Sequence, residues 1–328
     1  MSQTTTAPAR KRKKYRQDIV RENIEVWLMM LPVLVVIFIF SYIPLWGVII
    51  AFQNYQPGSP FFDPNNWVGL KHIRQFINSP FFSRLIINTL RLSLLQICFA
   101  FWVPIIFALF LNEVTNMRFK KVVQTCSYMP YYVNIIVTTV TIVMPYFVSS
   151  VVVAGMVISF LDVNGLINNL LGHMGIAPYE YMTDPNSFPA IYTITTIWKD
   201  FGFGSILYFS TLSSIDPSLY EAARIDGATH MQQIWHITLP GLKAIIAIKL
   251  IMSVGSILSS NTDMILLLYN TATQKTADVI GTYVYRLGIQ GGKFSYTTAV
   301  NLFMSLIGFA LTSAANKISN KLTGSGLW

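Results

Sequence analysis

Long, uncharged apolar runs decide what this chain can become. A helix needs about 20 apolar residues to cross the hydrocarbon core of a bilayer. Six regions supply that length: 27–52, 92–112, part of 122–161, 187–215, 242–269 and 294–316. With 53% hydrophobic and 11% charged residues, the chain is too apolar for an ordinary soluble domain. The pattern predicts an all-α membrane protein with six transmembrane helices. The first run is expected to stay as an anchor and not be removed as a signal, because 26–62 carries no charge and outlasts a signal core of roughly 7 to 15 residues.

Charge placement sets the expected topology. A net charge of +9 would suit nucleic acid, but Arg10, Lys11, Arg12, Lys13, Lys14, Arg16 and Arg21 all precede the first run. That bias suits a cytosolic tail, residues 1–26, followed by one membrane domain, 27–328, with no nucleic-acid partner. An even number of spans then puts both termini in the cytosol, where Arg118, Lys120, Lys121, Arg224, Lys317 and Lys321 also fall. The external segments are 53–91, 162–186 and 270–293.

The third region is longer than one crossing requires. As continuous helix, 122–161 would span about 60 Å. Within it, Met-Pro-Tyr-Tyr-Val beginning at Met129 recurs as Met-Pro-Tyr-Phe-Val at Met144. Pro130 and Pro145 each break or kink a helix, which predicts one crossing after Pro145 and an interfacial segment before it. Two crossings would instead reverse the downstream topology and put 216–240 outside. Cys98 and Cys126 lie in apolar surroundings and are expected to be buried free thiols.

Between the fourth and fifth regions lies a polar interruption with strong local signals. Asp216 and Pro217 open a helix, expected to run to Asp226, and Gly227 stands where a left-handed cap is wanted. Thr229 and Gln232 read as a capping box for a second helix, along which Met231, Ile234, Trp235 and Thr238 fall on one stripe. Pro240 is expected to close the unit, giving two short helices that meet at a glycine. Its physical alternative is an amphipathic loop lying on the bilayer.

Charges within the spans point to cavities or partners. Lys199 and Asp200 are adjacent in the fourth region, so each needs its own partner. Lys249 and Asp263 in the fifth would lie about 21 Å apart on one helix. Trp198, Asp200, Asn261 and Asp263 are candidates to border a sugar path, against a simpler role in ion pairs or snorkelling. No catalytic or metal cluster emerges. His72, His173, His230 and His236 lack metal-ligand spacing and read as surface or interface histidines. The segment from Gly288 to Ser295 only superficially resembles a phosphate loop, since Leu287 takes the place of its first glycine and Phe294 follows Lys293.

Glu221, Ala222, Ala223, Gly227, Ile237, Thr238, Leu239 and Pro240 resemble the EAA loop of permease subunits in binding-protein-dependent ABC importers. The segments beginning at Leu31, Trp67, Phe107 and Ala277 are similar to carbohydrate permeases of the maltose-importer superfamily, nearest the Gram-positive subgroup for oligosaccharides released from polysaccharides. The doubled Met-Pro segment and Ala244, where many members have proline, depart from that pattern.

The resemblance implies a type I importer permease fold whose loop at 216–240 couples to an ATPase. Glu221, Ala222, Ala223, Arg224, Asp226, Gly227, Ile237, Leu239 and Pro240 would form that coupling site. It also implies a second homologous permease, two ATPase subunits carrying ATP and Mg, an external lipid-anchored solute-binding protein and a carbohydrate substrate. The chain itself would bind no cofactor and sit in a bacterial plasma membrane. The alternative is a stand-alone secondary transporter, which should show a repeat over half the chain.

Overall fold

The computed structural model describes residues 26–60, 63–113, 145–324 and 326–327. Among them the architecture is entirely helical, with one antiparallel backbone bridge, Gln53 to Trp67. The basic tail and the first copy of the doubled segment lie outside the described residues.

Helix α1, Val26–Phe52, is apolar throughout and tightens into a 3-10 turn at Ile43–Phe52. A short helix, α2 (Lys71–Ile77), precedes α3 (Phe82–Leu95). The latter continues through a π-helical turn into α4 (Trp102–Glu113). After Pro145 come α5 (Ser150–Leu161) and α6 (Leu166–His173), then the 26-residue α7 (Phe188–Ser213) and the short α8 (Pro217–Ile225). Helix α9 runs from His230 to Gly255. Three short helices follow: α10 (Thr262–Leu268), α11 (Gln274–Ala277) and α12 (Ile280–Val284). The last is α13, Phe294–Thr323.

Five stretches are long and apolar enough to cross a membrane: Val26–Phe52, Phe82–Phe110, Ser150–His173, His230–Gly255 and Phe294–Leu322. Helix α7, about 39 Å long by its rise per residue, has the length but not the apolarity. Its buried Thr193, Thr196 and Ser205 return their hydroxyls to the carbonyls of Pro189, Tyr192 and Gly202, which satisfies those three groups within the helix.

Three apolar clusters hold the helices together. Leu92, Phe188, Tyr192, Met264 and Leu268 join α3, α7 and α10. Ile105, Tyr208, Leu212 and Leu242 join α4, α7 and α9. Phe76, Leu85, Ile280, Tyr296 and Val300 join α2, α3, α12 and α13.

Four sequence expectations need correction. The fifth region is not one helix: α9 stops at Gly255, and Asn261 caps α10 by accepting the Met264 N–H at 3.2 Å. Lys249 and Asp263 therefore share no helix face. Ser256, Ser259, Ser260 and Asn261 cause the break, because short polar side chains compete for backbone groups and favour caps. Nor does Pro240 close a unit. A π-helical turn at Ile234–Thr238 precedes it, and the helix runs on into the span. Widening the turn relieves the clash between the proline ring and the preceding carbonyl. Cys98 is exposed, not buried. His72 is buried, and its Nε2–H donates to Gln53 O at 3.1 Å.

Candidate functional site

The interruption between α7 and α9 is built by local bonds. Asp216 Oδ1 accepts the Ser218 N–H at 2.9 Å, which caps α8 and holds the Asp216 carboxyl below its ordinary pKa. Arg224 sits in the last turn and Asp226 at the C-cap. Gly227 has φ +75°, and Ala228 N–H reaches back to Ala223 O at 2.9 Å. Only glycine adopts that left-handed conformation without strain. Gln232 Oε1 then accepts from the Thr229 N–H at 2.7 Å and from its hydroxyl at 2.9 Å, opening α9.

Tertiary bonds weld this element to the spans. The Tyr220 hydroxyl meets Thr238 Oγ1 at 3.0 Å, joining α8 to α9. Ile215, at the foot of α7, packs so close to Gly241 that any side chain there would collide with it. The Tyr220 bond ties α8 to α9, and the Ile215 contact ties the foot of α7 to the same stretch of α9.

The candidate coupling residues occupy two places. Glu221, Ala222, Ala223, Arg224, Asp226 and Gly227 lie on α8 and its cap, whereas Ile237, Leu239 and Pro240 lie on the shaft of α9 behind it. Ala223, Asp226, Gly227 and Ile237 come together around a depression of about 380 Å³. The apolar stripe is only partly inward. Thr238 is buried, but Met231 and Trp235 are exposed, as are Leu219 and Ile225, the last at 87%. Sequence reasoning missed Tyr220, Leu219 and Ile225; their signal was an apolar side chain on each turn of a helix otherwise polar.

The in-span candidates separate. Lys199 Nζ donates to the carbonyls of Pro145, Tyr146 and Val148 at 3.3, 3.1 and 2.8 Å. It thus caps the end of the helical turn that Pro145 begins. Asp200 is exposed and makes no bond among the described residues. Asn261 and Asp263 are exposed at the start of α10, where the Asn261 N–H meets the Tyr192 hydroxyl at 3.3 Å. Trp198 packs partly buried against the cluster of Phe188 and Tyr192. No bond joins these four residues to one another.

A stronger electrostatic centre lies beyond the N-terminal end of α7. Asp278, fully buried, receives Arg286 in bidentate fashion at 3.0 and 2.9 Å, Arg84 at 3.1 Å and the Thr282 hydroxyl at 2.8 Å. These bonds raise the Arg286 pKa further above its ordinary value. Asn88 Nδ2 adds bonds to Lys275 O and Asp278 O, both at 3.0 Å. The node fastens α3, α11 and α12 together. Its signal in the sequence was a lone acid between apolar residues, with Arg286 eight positions on and Arg84 far away along the chain.

Residues 100–324 match the family described as binding-protein-dependent transport system inner membrane component. The chain belongs to that family and is a permease subunit of a binding-protein-dependent ABC importer, with the type I permease fold. Among its relatives is the polygalacturonan/rhamnogalacturonan transport system permease protein YteP of Bacillus subtilis strain 168, 36% identical over 97% of this chain and 94% of that protein. Protein LplB of the same organism is 37% identical, over 92% of this chain and 91% of its own length. A solved bacterial alginate ABC transporter, in complex with alginate pentasaccharide-bound periplasmic protein, superposes with a TM-score of 0.82 at 37% identity. That match covers 95% of this chain and 99% of the other. Family membership decides against the stand-alone secondary transporter.

Proposed function

We propose that the chain forms half of a pore for ATP-driven uptake of an oligosaccharide or polysaccharide fragment, and that the fragment is acidic. The relatives' substrates, polygalacturonan or rhamnogalacturonan and alginate, support the acidic assignment. A second homologous permease would complete the pore, and an external lipid-anchored solute-binding protein would deliver the sugar. Two ATPase subunits, holding ATP and Mg, would dock from the cytosol of a bacterial cell. In this reading α7 is the sixth crossing and both termini are cytosolic.

The observation that carries the coupling role is the exposure of the large apolar side chains Leu219 and Ile225 on α8 and Met231 and Trp235 on α9, either side of a capped bend. Exposed apolar side chains concentrated on one short element are expected where a partner covers it. Glu221 and Arg224 would be polar contacts of the docking groove, and Ala222 and Ala223 would permit close approach. Closure of the ATPase pair would push α8 and, through Tyr220 and Ile215, tilt α7 and α9. The pore would then shift between inward and outward access, which needs a differential free energy of a few kcal/mol. Trp198, Asp200, Asn261 and Asp263 would border the sugar path, where carboxylate, amide and aromatic groups suit hydroxyls and pyranose rings.

Gly227→Pro tests the lever. Proline cannot adopt the left-handed φ and removes the N–H that Gly227 donates to Arg224 O. The variant should remain in the membrane with the assembled complex while uptake is lost and ATP hydrolysis no longer responds to substrate. Normal, substrate-stimulated uptake would refute the lever.

A further inference from the structure

Helix α2 has two faces of opposite character. His72 and Phe76 are buried on one. On the other, Lys71, Arg74, Gln75 and Asn78 fall at i, i+3, i+4 and i+7, all exposed. Their side chains make no hydrogen bond or ion pair among the described residues. An exposed polar face is the usual condition of a surface helix; what sets this one apart is the concave surface beside it.

A cavity of about 650 Å³ lies on one flank, lined in part by Asn54, Tyr55, Gln75, Asn78, Phe81 and Lys293. A second, open depression is lined entirely by residues 68–78, with Val68, Leu70, Ile73 and Ile77 beside Lys71 and Arg74, and it shares Gln75 and Asn78 with the first. Neither lining contains a carboxylate. Lys293 comes from the segment that resembled a phosphate loop. Gly292, at φ +66°, turns the chain there, and the Lys293 N–H is fixed to Leu287 O at 2.9 Å.

The floor of the first cavity is rigid. The Tyr55 N–H donates to Ser295 Oγ at 2.8 Å, and the Tyr283 and Tyr296 hydroxyls pair at 3.1 Å. His72 lines the same cavity and is buried. With Nε2 held by Gln53 O, its Nδ1 has no partner among the described residues.

We propose that this face of α2 and its two flanking cavities bind carboxylate-bearing sugar units outside the membrane-spanning region. The inference rests on the topology and substrate class proposed above. Three cations without a competing acid suit a uronate carboxylate, and a guanidinium such as that of Arg74 can take it in bidentate fashion. The amides of Asn54, Gln75 and Asn78 suit ring hydroxyls, and Tyr55 and Phe81 offer faces to a pyranose. The first cavity, walled by several elements, falls within the range of about 300–1,000 Å³ usual for small-molecule sites. A protein docking surface would not require such concavity.

The test uses the complete transporter without its binding protein, in phosphatidylcholine nanodiscs, titrated calorimetrically with trigalacturonate and with neutral maltotriose. Trigalacturonate should bind and maltotriose should bind at least about tenfold more weakly, while the double variant Arg74→Gln/Lys293→Gln should lose about tenfold for the acidic sugar only, as expected for lost charge-assisted bonds. No binding, equal binding of the two sugars, or an unchanged double variant would overturn the site. So would competition by phosphatidylglycerol, which would mark a lipid headgroup site. Weakened docking of the binding protein with an unchanged sugar titration would mark a protein interface and also overturn it. The Gly227→Pro uptake and hydrolysis assays remain independent, so failure here leaves the importer reading standing.

Discussion

The two ends of α7 are finished in opposite ways. Beyond its N-terminal end, Asp278 is buried and gripped by Arg84, Arg286 and Thr282, and Asn88 bonds the same turn. At its C-terminal end, α8 is held to the rest by the Tyr220–Thr238 bond and the Ile215–Gly241 contact, with Ile225 and Trp235 exposed. One end pairs its buried carboxylate internally. The other satisfies its backbone internally and leaves its apolar side chains unmet. The first is an anchor, since a buried ion pair resists separation. The second suits an element that moves as a body and meets another protein.

If that contrast is right, substitutions at the two ends should fail differently. The largest effect should come from Asp278→Ala. Two guanidinium groups would be left facing each other without their carboxylate, and breaking a buried pair in this way costs about 3–5 kcal/mol. Membrane yield and the thermal midpoint of the purified complex should both fall sharply. An unchanged midpoint would remove the anchor from the comparison. Tyr220→Phe should be milder, about 1 kcal/mol for one lost hydrogen bond. Yield should hold while uptake per ATP hydrolysed declines, and an unaltered coupling ratio would show that the weld is not needed.

The smallest effect belongs to Asp216→Ala, which removes the α8 cap. Because the folded carboxyl is held below its ordinary pKa by Ser218, its contribution is present at neutral pH and is lost as pH falls through the depressed folded value. Thermal scans of the two proteins should therefore differ at pH 7 and converge in strong acid. A gap that persists at the lowest pH would assign the effect to something other than the cap.

Legibility in the sequence followed the range of the forces involved. The cap at Asp216, the bend at Gly227 and the helix start at Thr229 are decided within a few residues, and each lies where local chemistry predicted. Five candidate spans were legible from apolar length, because hydrocarbon admits little else, whereas the fourth region, expected to qualify on the same ground, has the length without the apolarity. Pro240 was misread because a π-helical turn absorbs it, and a residue-by-residue breaker rule does not anticipate that accommodation. The break after Gly255 was missed because apolar length says nothing of a serine-rich segment competing for the backbone. Lys199 was rightly judged to need its own partner, but the partners were main-chain carbonyls, which no side-chain pattern reveals.

By itself, the sequence determined the membrane-spanning helical class and the shape of the 216–240 bend, since solvent apolarity and short-range capping act along the chain. The tertiary structure decided which charges meet. Asp278 finds Arg84 across 194 positions, and Lys293 joins the exposed face of α2 around one cavity. Such pairings depend on helix packing that brings distant turns together, and no local rule encodes them.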